Sequence, residues 1–170
     1  MARSTEPDLL LTLIKKLLDD ASILLRRKKP VEALHRLNYS LQKCCELLEK
    51  CQEEDGNECT EELPPLKSIE DQLRMYKLQT LLSIAYMKRR NRDLQEAIKL
   101  TDEAMPLVTP GDDGSRFELH LFRAKCFFDA QDIHMARAET TQAYSILPAN
   151  IDVQNLLMVL DSSCQISADR

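Results

Sequence analysis

Two short runs of basic residues are the densest concentrations of like charge in the sequence. They are Arg26-Arg27-Lys28-Lys29 and Lys88-Arg89-Arg90-Asn91-Arg92. Clustered Lys and Arg side chains can contact phosphates or the carboxylates of an acidic protein. No aromatic residue alternates with these cations to stack on bases, and 28 acidic against 23 basic side chains give the chain a formal net charge of −5. The sequence therefore favours an acidic protein over a nucleic acid as the partner of these runs.

The three histidines offer no arrangement for nucleophilic catalysis. His35, His120 and His134 fall on separate predicted helices, and none has a Ser or Cys motif beside it that would form a nucleophile and base pair. The numerous carboxylates are not spaced so that two of them would share a pocket. We therefore expect a non-catalytic protein that needs no cofactor.

The cysteines do not follow a metal-binding or disulfide pattern. Four of the six lie close together, at Cys44, Cys45, Cys51 and Cys59. This cluster contains no Cys-x-x-Cys pair, whereas a structural zinc site is normally built from paired Cys or His ligands. Six irregularly spaced cysteines in 170 residues are also too few for a disulfide-dense domain. We expect no bound metal, and reduced cysteines that pack as small apolar side chains.

The composition indicates one helical domain. Hydrophobic residues make up 44% of the chain, enough for a core, and there are only 3 glycines and no tryptophan. The most apolar stretch, residues 9–25, is interrupted by Lys15, Lys16, Asp19 and Asp20, so it lacks the roughly 18 uninterrupted apolar residues of a membrane helix. It also lacks the features of a secretory signal. We expect an intracellular protein, cytoplasmic or nuclear, without membrane insertion.

Hydrophobic periodicity predicts three helical hairpins and a terminal helix. Leu10, Ile14 and Leu17 begin an apolar stripe at three- and four-residue steps, and Pro30 marks the first turn of the next helix. The hairpins and the terminal capping helix are expected over residues 8–51, 66–108, 115–148 and 150–163, within a single domain spanning 8–164.

Three short polar signals predict where helices begin in the second half of the chain. Asp93 with Glu96 and Ser115 with Glu118 have the spacing of capping boxes. Asp132 can cap the helix that follows it.

Residues 52–65 interrupt the helical pattern. They are rich in Glu and Asp and end at two consecutive prolines, which predicts an acidic flexible loop. Residues 1–7 and 165–170 are expected to be flexible termini.

A 34-residue unit stands out at residues 117–150. Its pattern consists of Ala124, Phe127, Asp132, Ala136, Ala143 and Pro148. This unit resembles a tetratricopeptide repeat (TPR). The small side chains in the pattern allow the two helices and a neighbouring repeat to approach closely.

Two earlier units match the same pattern more loosely. The second contains Ala85, Tyr86, Leu94, Ala97, Ala104 and Pro110, and the first contains Ala21, Leu24, Ala33 and Ser40. The resemblance implies an all-α fold of antiparallel helical hairpins stacked as a short right-handed α-solenoid. It would contain about three TPR-like repeats and a C-terminal capping helix.

The resemblance also implies a binding surface, because in this family the first helix of each hairpin lines a concave groove that receives a helix or an extended peptide. The predicted groove residues are Leu18, Ser22, Leu25, Leu81, Ile84, Met87, Lys88, Leu121, Phe122, Lys125 and Phe128. We expect these side chains to be exposed on the face opposite the small-residue seam. Most of them are apolar, so a partner segment with apolar anchors is expected to cover them.

A well-known activity of this family is a clamp that grips two carboxylates of chaperone tails with Lys, Asn and Arg. The matching positions here hold Leu18, Ser22, Leu81, Glu118 and Phe122. None of them can pair with a carboxylate as Lys or Arg does, and Glu118 would repel one. We therefore expect an adaptor, scaffold or assembly subunit with no chaperone-type clamp.

Other occupants and a second surface stay open from the sequence. The terminal helix or the acidic loop of the chain itself could fill the groove, and an uncovered groove could pair two copies. Both basic runs join the first and second helices of their hairpins, so stacking would place them on one edge. This basic edge consists of Arg26, Arg27, Lys28, Lys29, Arg89, Arg90 and Arg92. It is the alternative site, for an acidic protein or a nucleic acid.

Overall fold

The computed structural model describes the backbone of residues 6–54 and 64–168. These segments consist of α-helices, short turns and one 3-10 turn. The helices are α1 Glu6–Arg26, α2 Pro30–Glu54, α3 Pro64–Arg90, α4 Leu94–Ala104, α5 Asp113–Asp129, α6 Ile133–Ile146 and α7 Ile151–Ala168. The 3-10 turn Met105–Leu107 follows α4. The all-α prediction is confirmed.

Several helices extend further than the sequence predicts. Part of the expected acidic loop is helical, because α2 continues to Glu54 and α3 begins at Pro64. Proline is compatible with the first turn of a helix, where its missing N–H is not needed, so the two prolines open α3 rather than close a loop. The rest of that loop, residues 55–63, lies outside the described residues. The predicted flexible termini overlap α1 and α7. Of the residues in these two termini, only 1–5 and 169–170 fall outside the described part of the chain.

The chain divides into two compact units, Met1–Met87 and Lys88–Arg170. In the first unit α1 packs against α2. The hydroxyl groups of Ser40 on α2 and Thr80 on α3 lie 3.4 Å apart in a buried contact. In the second unit α5 packs against α4 and α6, and α6 packs against α7. The single-domain organisation stays a prediction.

Three turns of the same backbone geometry join α1 to α2, α3 to α4 and α5 to α6. Each contains one left-handed residue that is not glycine: Lys28 with φ 59°, Arg92 with φ 66° and Gln131 with φ 63°. The N–H of the left-handed residue donates to the carbonyl three residues earlier at 3.0–3.1 Å. The next N–H donates to the carbonyl five residues earlier at 2.9–3.0 Å. This is the Schellman motif, which satisfies the last carbonyls of the first helix in each pair.

The small residues of the repeat fall in one register when they are counted from these left-handed residues. Ala21, Ala85 and Ala124 lie seven positions before them; Ala33, Ala97 and Ala136 lie five after; and Ser40, Ala104 and Ala143 lie twelve after. All nine side chains are at most 1% exposed. Because a large side chain at any of these positions would separate the helices, burial of the small ones confirms the repeat pattern predicted from the sequence.

The structure confirms the helix starts predicted at Asp132 and Asp93 and corrects the start of α5. Asp132 accepts a hydrogen bond from the backbone N–H of Met135 at 3.1 Å, as an N-cap should. The cap of α5 is Asp112 rather than Ser115: its Oδ1 accepts the Ser115 N–H at 3.0 Å. Asp93 is the N-cap residue of α4, but its side chain makes no capping bond and its carboxylate pairs instead with the ammonium of Lys88.

Candidate functional site

The structure buries five of the predicted groove residues. They are Leu18, Leu81, Ile84, Met87 and Phe122, all less than 9% exposed. The predicted exposure of these five side chains is wrong. The prediction assumed that each first helix has one core face and one open face, whereas α3 buries Leu78, Leu81, Leu82, Ile84, Ala85 and Met87 in nearly every direction around its axis. Whether any of the five contributes to binding stays a prediction.

The other predicted groove residues remain at least partly accessible. Ser22 is exposed, and Leu25, Lys88, Leu121, Lys125 and Phe128 are half-buried. On α5, Leu121, Lys125 and Phe128 are spaced i, i+4 and i+7, so they form one stripe along the helix. On α1, Leu18, Ser22 and Leu25 have the same spacing.

Counting back from the left-handed residues identifies the matching stripe on α3. It consists of Leu82, Tyr86 and Arg89, each at the same register as its counterparts on α1 and α5. On α3 the sequence analysis assigned Leu81 to the groove instead of its neighbour Leu82 and missed Tyr86. On α5 it assigned Phe122 as well as its neighbour Leu121. The Tyr86 side chain is 45% exposed. The basic run before the second turn could have supplied this register, since it fixes where α3 ends.

Lys125 of the α5 stripe also contacts the terminal helix. Its Nζ lies 2.9 Å from Oδ2 of Asp152 at the start of α7. The hydrogen bond from this ammonium lowers the pKa of the Asp152 carboxyl. A carboxylate of a partner would therefore compete with Asp152 for Lys125.

The two basic runs differ in how far the chain itself neutralises them. In the second run, Lys88 pairs with Asp93 at 3.0 Å. Arg89 Nε donates to Oδ2 of Asp129 at 2.8 Å, which links the end of α3 to the end of α5. Arg90 and Arg92 are exposed. Half of the cations in the second run are thus occupied within the chain.

All four cations of the first run are exposed. Arg26, Arg27 and Lys28 form no ion pair with any side chain in the described residues, and Lys29 pairs with Glu32 at 2.8 Å. The placement of both runs on one edge stays a prediction.

A buried polar cluster, which the sequence analysis missed, joins α4, α5 and α6. Arg123 Nε donates to Glu139 Oε1 at 2.8 Å, and its Nη1 reaches Thr101 Oγ1 at 3.2 Å and the Asp102 carboxylate. The other oxygen of Glu139 lies 2.7 Å from Nδ1 of His120. Because an ionised carboxylate can only accept, Nδ1 carries the proton in this hydrogen bond.

The electrostatics of the cluster centre on Glu139. Burial by itself would raise the pKa of its carboxyl, but hydrogen bonds from His120 and Arg123 outweigh burial and lower the pKa. His120, Arg123 and Glu139 occupy register positions that hold Leu81, Ile84 and Leu100 in the second repeat. Polar residues of opposite charge at positions that are apolar elsewhere in the repeat were the signal that could have revealed the cluster.

The members of the cluster satisfy one another and join α4, α5 and α6 through their hydrogen bonds. Every buried side-chain nitrogen and oxygen in the described part of the chain has a hydrogen-bond partner. Within that part, His, Cys, Asp and Glu side chains do not gather in groups of three that could hold a metal ion.

Of the helical segments that the structure describes, none combines the length and apolar character needed to cross a membrane.

Two cysteines are packed as core residues. Cys44 and Cys126 are fully buried. Burial raises the pKa of the Cys44 thiol to about 12 and that of Cys126 to about 11. Both are free thiols, and this protonated, inaccessible state agrees with the expected apolar role for these two residues.

Comparison with known proteins gives a structural likeness. No family model matches the chain. Among solved structures, it is similar to the C-terminal TPR-containing domain of a Plasmodium falciparum protein described as an FK506-binding protein. The TM-score is 0.64 at 12% sequence identity, over 98% of this chain and 97% of that chain. The chain therefore has a TPR-like fold.

Proposed function

We propose that the chain is a non-catalytic protein-interaction module that binds a helix or extended peptide of another protein, without a chaperone-type carboxylate clamp. It would serve as an adaptor, scaffold or assembly subunit. The observation that carries the proposal is the stripe that recurs at one register on the first helices of a TPR-like fold, where each helix presents at least one accessible large apolar or aromatic side chain. These accessible side chains are Leu25 on α1, Tyr86 on α3, and Leu121 and Phe128 on α5.

The stripe on α5 is the best-defined part of the proposed surface. Leu121 and Phe128 are apolar anchors one heptad apart, and Lys125 lies between them. Anchors at this spacing match those of an amphipathic partner helix. The five buried groove residues, of which Leu18 belongs to the α1 stripe itself, would pack in the core rather than contact the partner.

The experiment selects binding peptides from a displayed random library and measures their affinity by fluorescence anisotropy. The variant Leu121→Ala with Phe128→Ala removes both anchors of α5. We expect at least a tenfold loss of affinity, because a few large side chains carry most of the energy of such interfaces. Circular dichroism must show that the variant keeps its helical content.

A matched control lies on the second helix of the same hairpin. Met135 and Tyr144 of α6 are 40% and 43% exposed, so Met135→Ala with Tyr144→Ala removes comparable apolar surface. This control should leave the affinity unchanged. Equal losses in both variants, or a loss only in the α6 control, would overturn the proposal.

A further inference from the structure

The tip of the α1–α2 hairpin is exposed along its whole length. Residues 26–32 are all exposed, a run of seven that covers the end of α1, the turn and the start of α2. The turn is held rigidly, because the N–H of Lys28 donates to Leu25 O at 3.1 Å and that of Lys29 to Leu24 O at 2.9 Å. The N–H of Ala33 then donates to the Lys29 carbonyl at 3.1 Å, so α2 continues directly from the turn. These hydrogen bonds fix the backbone of the exposed tip.

The tip concentrates positive charge that the described chain leaves largely unneutralised. It carries four cations and one anion, Glu32. Only Lys29 is paired with that carboxylate. The equivalent positions of the second turn are Arg90, Asn91, Arg92 and Asp93, so only the first turn combines four consecutive cations.

An apolar side chain stands among these cations. Val31 is 80% exposed, more than any other large hydrophobic side chain in the described residues. It directly follows Pro30, which is also exposed. Leaving a branched apolar side chain in water next to four cations has no benefit for the packing of the hairpin.

We propose that this tip docks on an anionic membrane surface. The four cations would bind lipid phosphate and carboxylate groups, and Val31 would enter the boundary between headgroups and acyl chains. The protein would lie against the bilayer and would not span it. The proposal is independent of the proposed peptide-binding stripe.

The continuous exposure of residues 26–32 and the apolar Val31 favour a lipid surface over other polyanions. Residues 26–32 are all exposed, so a protein partner would have to supply the whole apolar pocket for Val31. Nucleic acid phosphates would engage the cations but would give Val31 no apolar environment. A fluid bilayer deforms around an exposed tip and satisfies both kinds of side chain.

The test is co-sedimentation of the full chain with vesicles of phosphatidylcholine alone, or with about one third phosphatidylserine. The charge variant is Arg26→Gln with Lys28→Gly, and its matched control is Arg90→Gln with Arg92→Gly at the same register of the second turn. Each removes two positive charges and places glycine at the left-handed position. The apolar variant is Val31→Ser. Thermal unfolding followed by circular dichroism checks that all three remain folded.

We expect binding to the anionic vesicles that falls with salt, and weak or no binding to phosphatidylcholine alone. The charge variant should bind about twenty-five-fold more weakly, at about fivefold for each of the two cations removed. Val31→Ser should cost about fivefold, and the second-turn control should bind like the wild type.

Three results would overturn the proposal. The first is the absence of a preference for anionic vesicles, and the second is an equal loss of binding in the second-turn control. The third is unchanged vesicle binding by Val31→Ser together with equally strong binding of polyglutamate or single-stranded RNA to the tip, which would make it a general polyanion site.

Discussion

At the scale of single residues, Glu139 is the ionisable group on which packing of the second unit depends most. Its carboxylate accepts from both His120 and Arg123, and its side chain is 11% exposed. We expect Glu139→Gln to lower the free energy of unfolding at neutral pH by about 2–4 kcal/mol, because it leaves the largely buried Arg123 paired only with the exposed carboxylate of Asp102. Chemical denaturation measures this loss. Glu46→Gln, at an exposed ion pair with Lys43, is the control and should have little effect.

The same substitution should change the pH dependence of stability. The pKa of Glu139 is lowered in the folded chain, so its ionised form stabilises the fold above the ordinary glutamate pKa of about 4.3. That contribution is lost as the pH falls through the lower pKa of the folded state. Acid titrations of stability should therefore be shallower in Glu139→Gln than in the wild type between these two pKa values. Parallel titration curves would contradict this role of Glu139.

The buried thiols make a second prediction at this scale. Because Cys44 and Cys126 are inaccessible and their pKa values are raised to about 12 and 11, almost no thiolate is present at pH 8. Alkylation with iodoacetamide followed by peptide mass spectrometry should find both unmodified in the native protein and modified after unfolding in denaturant. Rapid alkylation of either cysteine in the native protein would show that its helix opens readily.

At the scale of helices and turns, the three left-handed residues hold strain that glycine would relieve. A side chain at positive φ costs about 1 kcal/mol relative to glycine. We expect Gln131→Gly to raise the free energy of unfolding by about 0.5–1 kcal/mol, measured by urea denaturation. The neighbouring Ala130 has φ −81° in the right-handed region, so Ala130→Gly is the control and should lower stability. Stabilisation by both glycines would mean that turn geometry is not the cause.

These elements also show which parts of the fold the sequence can predict. The turn after Arg26 and the restart at Pro30 follow from local backbone chemistry, and Ala124, Ala136 and Ala143 follow from a repeat that fixes small residues at helix contacts. The Arg123–Glu139 pair joins two helices, so only the register of the hairpin reveals it. The exposure of Leu81 and Phe122 depends on how many neighbours surround each helix, and periodicity along a single helix carries no information on that.

At the scale of the whole molecule, substitutions in each compact unit test how stability is distributed. Leu81 lies in Met1–Met87 and Phe122 in Lys88–Arg170, and both are at most 2% exposed. We expect Leu81→Ala to cost about 2–5 kcal/mol and Phe122→Ala about 3–5 kcal/mol, because each leaves a cavity in a core. Hydrogen exchange with mass spectrometry measures where amide protection is lost.

In a repeat fold, stability comes mainly from each repeat and its nearest neighbours. Leu81→Ala should therefore lower amide protection chiefly in the first unit, and Phe122→Ala chiefly in the second. Val31→Ala is the control, because its exposed side chain adds nothing to a core, and it should leave the exchange pattern unchanged. If either core substitution lowered protection equally in both units, the chain would unfold as one cooperative domain, and the division into two compact units would have no energetic counterpart.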